Sequence, residues 1–311
     1  MDILSIGEPL AEFTSDAARP DHFQRRPGGD MLNAAIYLAR LRPDLRVGYL
    51  SRLGDDAMSR WMRAAIAAEG VDVSRIDEEP GGRPGLSFVQ TDPMGERSFA
   101  YWRDQAPARR MFGPDGADIA ALGSPRCILF SGVTLAILPA AARTRLLTAL
   151  SALRAQGCLV AYDTNYRPVL WSAPEEGAEW TSRALATSSV ALPSAEDLAI
   201  LYGETDPEAA LALCARQCSG EVVMTTGGGT VMHHDPVSGV TPIALPPPVL
   251  AVDTTAAGDS FDAGFLSARL RGLDPKTAVL AGARLAALVV QWPGAVIPVE
   301  AMREEIAAHA A

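Results

Sequence analysis

The sequence predicts an α/β protein with a doubly wound, largely parallel sheet. Three observations predict it: short apolar β-type runs alternate with segments of helical period, the chain is 311 residues long, and 48% of it is apolar with 21% charged. That is the balance of an ordinary globular protein with ample length for a large core.

Strands are expected at Asp2–Ile6, Arg46–Ser51, Cys127–Ser131, Cys158–Tyr162, Ser189–Leu192 and Glu221–Thr225, each a short apolar run of the kind buried on both faces. Helical periodicity fills most gaps between them, at Asp30–Arg40, Met58–Glu69, Pro139–Gln156 and Pro174–Ala186. Two stretches break the rhythm. Residues 10–27 are polar and short of helical period, and Gly85–Arg103 reads as a hairpin turning at Asp92-Pro93-Met94-Gly95. Together, residues of about 10–27 and 85–103 are expected to form a small β-sheet outside the main one, a lid over the strand ends. After Pro246 three helices are expected, at Ala257–Arg271, Pro275–Val290 and Pro298–Ala308. No linker separates modules, so 1–311 is read as one α/β domain.

A net charge of −10 and a pI near 4.9 argue against nucleic acid and anionic membranes as partners. Of 27 basic residues only Lys276 is a lysine, so a Walker A loop, a protein-kinase strand lysine and a Schiff-base lysine are excluded. Four cysteines without a C-x-x-C pair and four histidines without ligand spacing point to a reduced, cytoplasmic chain with no transition-metal site. The acidic start at Met1-Asp2-Ile3 is unlike a signal peptide, and the uncharged runs Cys127–Ala142 and Pro236–Val252 are too short and broken to span a membrane.

The segment that carries chemistry is Asp253-Thr254-Thr255-Ala256-Ala257-Gly258-Asp259-Ser260-Phe261. It opens a helix with small residues, leaving the amides of Ala256, Ala257 and Gly258 bare at the positive end of the dipole, a phosphate-sized anion hole. Asp259 stands in the same turn, placed to take a proton from a hydroxyl attacking phosphorus. The same residues also fit ordinary capping, with Thr254 or Thr255 as cap and Asp259 complementing the dipole.

This segment resembles the C-terminal signature of the ribokinase-like (PfkB) sugar kinases, which use such a loop where other kinases use a lysine. Gly28-Gly29-Asp30-Met31-Leu32-Asn33-Ala34-Ala35 resembles the family's second signature, G-G-x-x-x-N-x-A. Further matching pieces are Pro84-Gly85-Leu86, Gly95-Glu96-Arg97-Ser98-Phe99 with Tyr101-Trp102-Arg103, Ser131–Leu138, Asp163–Pro168 and Gln291–Pro298. They cover nearly the whole chain and are most similar to the members that act on 2-keto-3-deoxygluconate.

The resemblance implies a ribokinase-like fold and phosphorylation of that sugar acid at its 6-hydroxyl by ATP. Asp259 would be the base, with Ala256, Ala257 and Gly258 as anion hole. Gly28, Gly29, Asn33, Tyr101, Arg103 and Arg167 would meet the sugar. Asn165, Arg167, Ser194, Thr225, Thr226, Gly227, Gly228 and Gly229 would meet the nucleotide. Asp197 is implied near Mg²⁺ and Asp253 near a monovalent cation such as K⁺. The implied partners are a small sugar acid and ATP, with a homo-oligomer left open. There are two departures: Ala256 stands where many relatives have glycine, and Ser194 with Asp197 replaces the family's N-x-x-E.

Three other readings compete. A kinase of the fructokinase or ribokinase type acting on a neutral sugar would not need two arginines at one substrate end. A hydrolase built on Gly258-Asp259-Ser260-Phe261 would need a late Asp-x-x-His, and the late histidine here is His309. A non-catalytic sugar sensor would be favoured had Asp259 been absent.

Overall fold

The structure, a computed structural model, describes residues 1–15, 21–91 and 97–310. Its strands are β1 (Ile3–Ile6), β2 (Leu10–Ser15), β3 (Gln24–Gly28), β4 (Val47–Gly54), β5 (Ile76–Glu79), β6 (Gly85–Thr91), β7 (Arg97–Trp102), β8 (Cys127–Ser131), β9 (Leu159–Asp163), β10 (Val190–Leu192), β11 (Glu221–Thr225), β12 (Thr230–Asp235) and β13 (Gly239–Ala244). Nine of them form the main sheet in the order β13-β12-β11-β10-β9-β8-β1-β4-β5. From β11 to β5 the pairs are parallel, and β12 and β13 add an antiparallel edge.

Alternate residues of the central strands feed two separate cores. Cys127 and Leu129 of β8 join one apolar cluster, while Ile128 and Phe130 join the other. A sheet covered on both faces has no solvent side, which is why these strands read as unbroken apolar runs. Helices Asp30–Leu41, Ala57–Ala68, Ala257–Arg269 and Pro275–Val289 supply residues to the first cluster. Helices Ala140–Ala155 and Pro174–Thr187 serve the second.

A second sheet, order β3-β2-β6-β7, is built from the two stretches that lack the βαβ rhythm. The hairpin pairs as expected, Leu86 with Trp102 through Gln90 with Ser98, and its tip, including Asp92-Pro93-Met94-Gly95, lies outside the described residues. Differences from expectation are local. β5 carries the acidic sequence IDEE and shows no alternation to read. β13 contains Pro242, which an edge strand tolerates because no neighbour needs its missing N–H. The last helix is a 3₁₀ turn, Val299–Met302, followed by Arg303–Ala310. The four cysteines are buried and unpaired. Among the described residues no helix is long and apolar enough to cross a membrane.

Helix Ala257–Arg269 is held against Pro275–Val289 by a glycine contact: a Cβ on Gly264 would lie 2.9 Å from the Cα of Gly282. Gly264→Leu is expected to pry the pair apart and lower stability by about 1–3 kcal/mol, read as a lower urea midpoint. The same helix begins on Ala256, whose φ of 61° and ψ of 20° are left-handed, a conformation that costs an L-residue roughly 1–2 kcal/mol. Ala256→Gly is expected to remove that strain and stabilise the protein by up to about 1 kcal/mol, the gain being reduced by the freer unfolded chain. A lower melting temperature would show the left-handed start to be unstrained.

Candidate active site

The parallel strands of the main sheet end on one edge, where open α/β sheets present their ligands. There, β8 ends at Ser131, β9 at Asp163 and β10 at Leu192, and Ser194 bridges to Thr225 at the end of β11. Helix Ala257–Arg269 and helix Asp30–Leu41 both point their N-termini at this edge, bringing Asp259 onto Asn33 from 226 residues away: Asn33 Nδ2 donates to Asp259 Oδ2 at 2.8 Å.

That bond spends the donor end of the Asn33 amide and leaves Oδ1 buried with no partner among the described residues. Asp259 is half-buried. Burial and the Asp30 carboxylate push its carboxyl up to about 7, against the pull of the Asn33 amide and the Arg167 guanidinium. A carboxyl tuned to neutrality is poised as a general base. Beside it, a Cβ on Gly258 would meet nothing within 4 Å, so the helix start is uncovered at that point. The amides are not equally free: Ala257 N–H already donates to Thr254 O at 3.2 Å.

Asp30 organises the floor. Its Oδ2 accepts from Ser131 Oγ at 2.5 Å and from Asn165 Nδ2 at 2.8 Å, with Asn165 at a positive φ of 25°. Asn165 therefore faces Asp30 in this state instead of standing free for nucleotide. Gly29, at φ 125°, begins the helix, and a Cβ there would fall 2.4 Å from Glu8 O, so only glycine fits. Gly28 closes β3 against Glu12, whose Oε2 would lie 3.4 Å from a Cβ.

Arg167 is exposed at the end of the β9 segment, and its charge acts on Asp259, Asp197 and Tyr101 alike. Tyr101, half-exposed on β7, lies 5.9 Å from the Arg103 guanidinium and stacks on Phe99. Arg103 is engaged with Glu8, a buried acid just beyond β1.

On the far side of Arg167, Ser194 Oγ caps the helix Ala195–Tyr202 by accepting from Asp197 N–H at 3.0 Å. Asp197 Oδ2 accepts from Thr164 Oγ1 at 2.9 Å, and burial raises its carboxyl. The loop after β11 is open: Thr226 Oγ1 donates within it, and Gly227, Gly228 and Gly229 take φ of 81°, 140° and 73° with free space where side chains would be. Asp253 is a tie rather than a free ligand, its two oxygens accepting from Thr255 N–H at 2.9 Å and Gly294 N–H at 2.5 Å.

Reasoning from sequence missed Glu8, the role of Asp30, and the pair Asp163 and Asp262. Both of the latter are buried, and burial with surrounding carboxylates drives both well above the usual range. The available signal for Asp30 and Asp262 was an acid directly after Gly29 and one helical turn beyond Asp259; Asp163 opens the matching piece Asp163–Pro168, and Glu8 carried no such signal. Among the described residues no group of three or more His, Cys, Asp or Glu side chains is arranged to hold a metal ion.

Comparisons with known proteins bear on the family and the fold. The pfkB family carbohydrate kinase model matches residues 2–302. A 2-dehydro-3-deoxygluconokinase of Dickeya dadantii is 40% identical over 309 residues, covering 97% of this chain and 98% of that protein. A crystal structure of a PfkB protein from a Polaromonas species superposes with a TM-score of 0.84 at 31% identity, covering 99% of each chain. A fructokinase from Xylella fastidiosa with bound ATP shares the fold, with a TM-score of 0.79 at 24% identity over 99% of this chain and 97% of that one. The chain, with a helix-borne carboxylate and an open helix start at the edge of a ribokinase-like sheet, belongs to the pfkB family of carbohydrate kinases.

Proposed function

We propose that this kinase transfers the γ-phosphoryl group of ATP to the 6-hydroxyl of 2-keto-3-deoxygluconate. The observation that carries the reading is the Asp259 carboxylate, held by Asn33 beside an open helix N-terminus and tuned to about 7. The 40% identity to a protein named for this activity supports the substrate.

In this reading Asp259 takes the proton of the attacking hydroxyl as its oxygen bonds to phosphorus. The bond from phosphorus to the bridging oxygen breaks, and ADP leaves with that electron pair. The helix start at Ala256–Gly258 stabilises the charge on the transferring group, the part a lysine plays elsewhere. Buried Asn33 Oδ1 accepts a sugar hydroxyl, and the loop 225–229 with Ser194 and Arg167 borders the nucleotide. Mg²⁺ usually keeps several waters and binds through one or two carboxylates plus substrate phosphates. A lone Asp197 carboxylate fits that role, and Mg²⁺ would supply charge neutralisation on the phosphates. For K⁺ the carried-over residue is Asp253, which orders the loop before the helix.

The four-stranded sheet acts as a lid. The register puts Glu12, Ser87 and Tyr101 on one face, and Arg103 follows with the same parity. Arg103 and Arg167 then approach one end of the sugar from lid and sheet, a fork pair suited to a planar carboxylate.

Asp259→Asn is expected to lower kcat by roughly 10²–10⁴ with ATP and sugar binding kept. In the wild type, the base must be ionised, so kcat/KM should climb about tenfold per pH unit below about 7 and level off above it. Turnover near wild type in the variant would remove Asp259 from the mechanism. Arg167→Ala should raise KM for the sugar acid by the equivalent of about 1.5–3 kcal/mol, the worth of a hydrogen bond to a charged group, and barely alter weak turnover of fructose. Equal losses on both sugars would favour a neutral-sugar kinase.

A further inference from the structure

The root of the lid is built around one buried side chain. Four segments cross between main sheet and lid: Glu8 leads from β1 into β2, Gly28 and Gly29 lead back from β3 to helix Asp30–Leu41, Gly85 enters β6, and Arg103 leaves β7. Glu8 touches the other three. Its backbone oxygen would lie 2.4 Å from a Cβ on Gly29, and its Oε1 would lie 2.6 Å from a Cβ on Gly85. Its Oε2 accepts from Arg103 Nε at 2.9 Å and from Arg103 Nη2. The Glu8 side chain is 1% exposed and that of Arg103 11%.

Two features argue against a purely structural pair. Glu8 Oε1 is buried without a partner among the described residues, an arrangement that a packed apolar contact would improve on. Both bonds also fall on one carboxylate oxygen and use the Nε side of the guanidinium, so they fix its plane and leave the Nη1 edge unengaged by Glu8.

We propose that Glu8 is a positioning residue for sugar binding: it locks the Arg103 guanidinium in the plane from which its Nη1 edge meets the substrate. This rests on the reading that Arg103 meets the sugar. Glu8 itself exchanges no proton and acts only through Arg103. A flexible arginine at a lid margin otherwise loses rotamer freedom each time substrate binds, and a pinned one has lost it on folding.

The test is a double-mutant cycle on the sugar KM, using whichever of 2-keto-3-deoxygluconate, fructose and ribose the wild type turns over fastest with ATP. Glu8→Gln is expected to raise the sugar KM about tenfold with the ATP KM unchanged, and Arg103→Ala to raise it further. The double variant should match Arg103→Ala within about twofold, the limit of ordinary additivity error. Glu8→Asp, charged but one methylene short, should recover only part of the loss. Gly85→Ala keeps both side chains and crowds Glu8 Oε1, together with Leu10 Cδ2, at 2.6 Å, so it should raise the sugar KM in the same way, and it serves if Glu8→Gln does not fold. The proposal is overturned if the single effects multiply in the double variant, if Arg103→Ala leaves the sugar KM unchanged, or if Glu8→Gln or Gly85→Ala binds sugar as the wild type does. A wild type that prefers fructose or ribose would instead overturn the substrate assignment, while the cycle on that sugar still decides for or against Glu8.

Discussion

The contact between Asn33 and Asp259 is the constraint on which the rest of the site depends. A single 2.8 Å bond ties the first helix of the fold to one of its last, and both helices must start at the same sheet edge for it to form. Everything that places those two N-termini serves this bond: the parallel order of β8, β1 and β4, the glycine that starts helix Asp30–Leu41, and the Gly264–Gly282 contact behind helix Ala257–Arg269. The asparagine donates to the carboxylate and keeps its own Oδ1 buried without a partner among the described residues.

Around that bond the cleft collects acids. Asp30, Asp163, Asp197 and Asp262 act on one another or on Asp259, and Arg167 is the cation that both Asp259 and Asp197 feel. Packed carboxylates at low dielectric cannot all ionise, and burial, with the Asp30 carboxylate second, raises Asp259 toward neutral pH. The same negative field would oppose a bound triphosphate, and a helix dipole, an arginine and a metal ion that travels with the nucleotide are the natural counterweights.

The small sheet is tied to this floor at its root. Its buried anchor is the Glu8–Arg103 pair, whereas Phe99, Tyr101 and Trp102 are half-exposed or more. By register Phe99 and Tyr101 share one face of this sheet with Glu12 and Ser87, and Trp102 lies on the other.

By itself the sequence determined the βαβ rhythm, the six central strands, the hairpin and the loop 253–261, because each is a local pattern: a run of apolar residues, a helical period, a helix start stripped of side chains. Strands without such a pattern, acidic β5 and proline-bearing β13, stayed hidden because edge position, not composition, permits them. Tertiary structure alone decided which groups meet. Asp30 reads as the first residue of a helix until Ser131 and Asn165 converge on it, and Arg103 reads as a sugar contact with no partner of its own until Glu8 is found across the lid root. Ala256 reads as one of three bare amides at a helix start, and only the fold shows its φ to be left-handed. Burial, charge pairing and backbone strain depend on neighbours far away in the chain, and no local pattern encodes those distances.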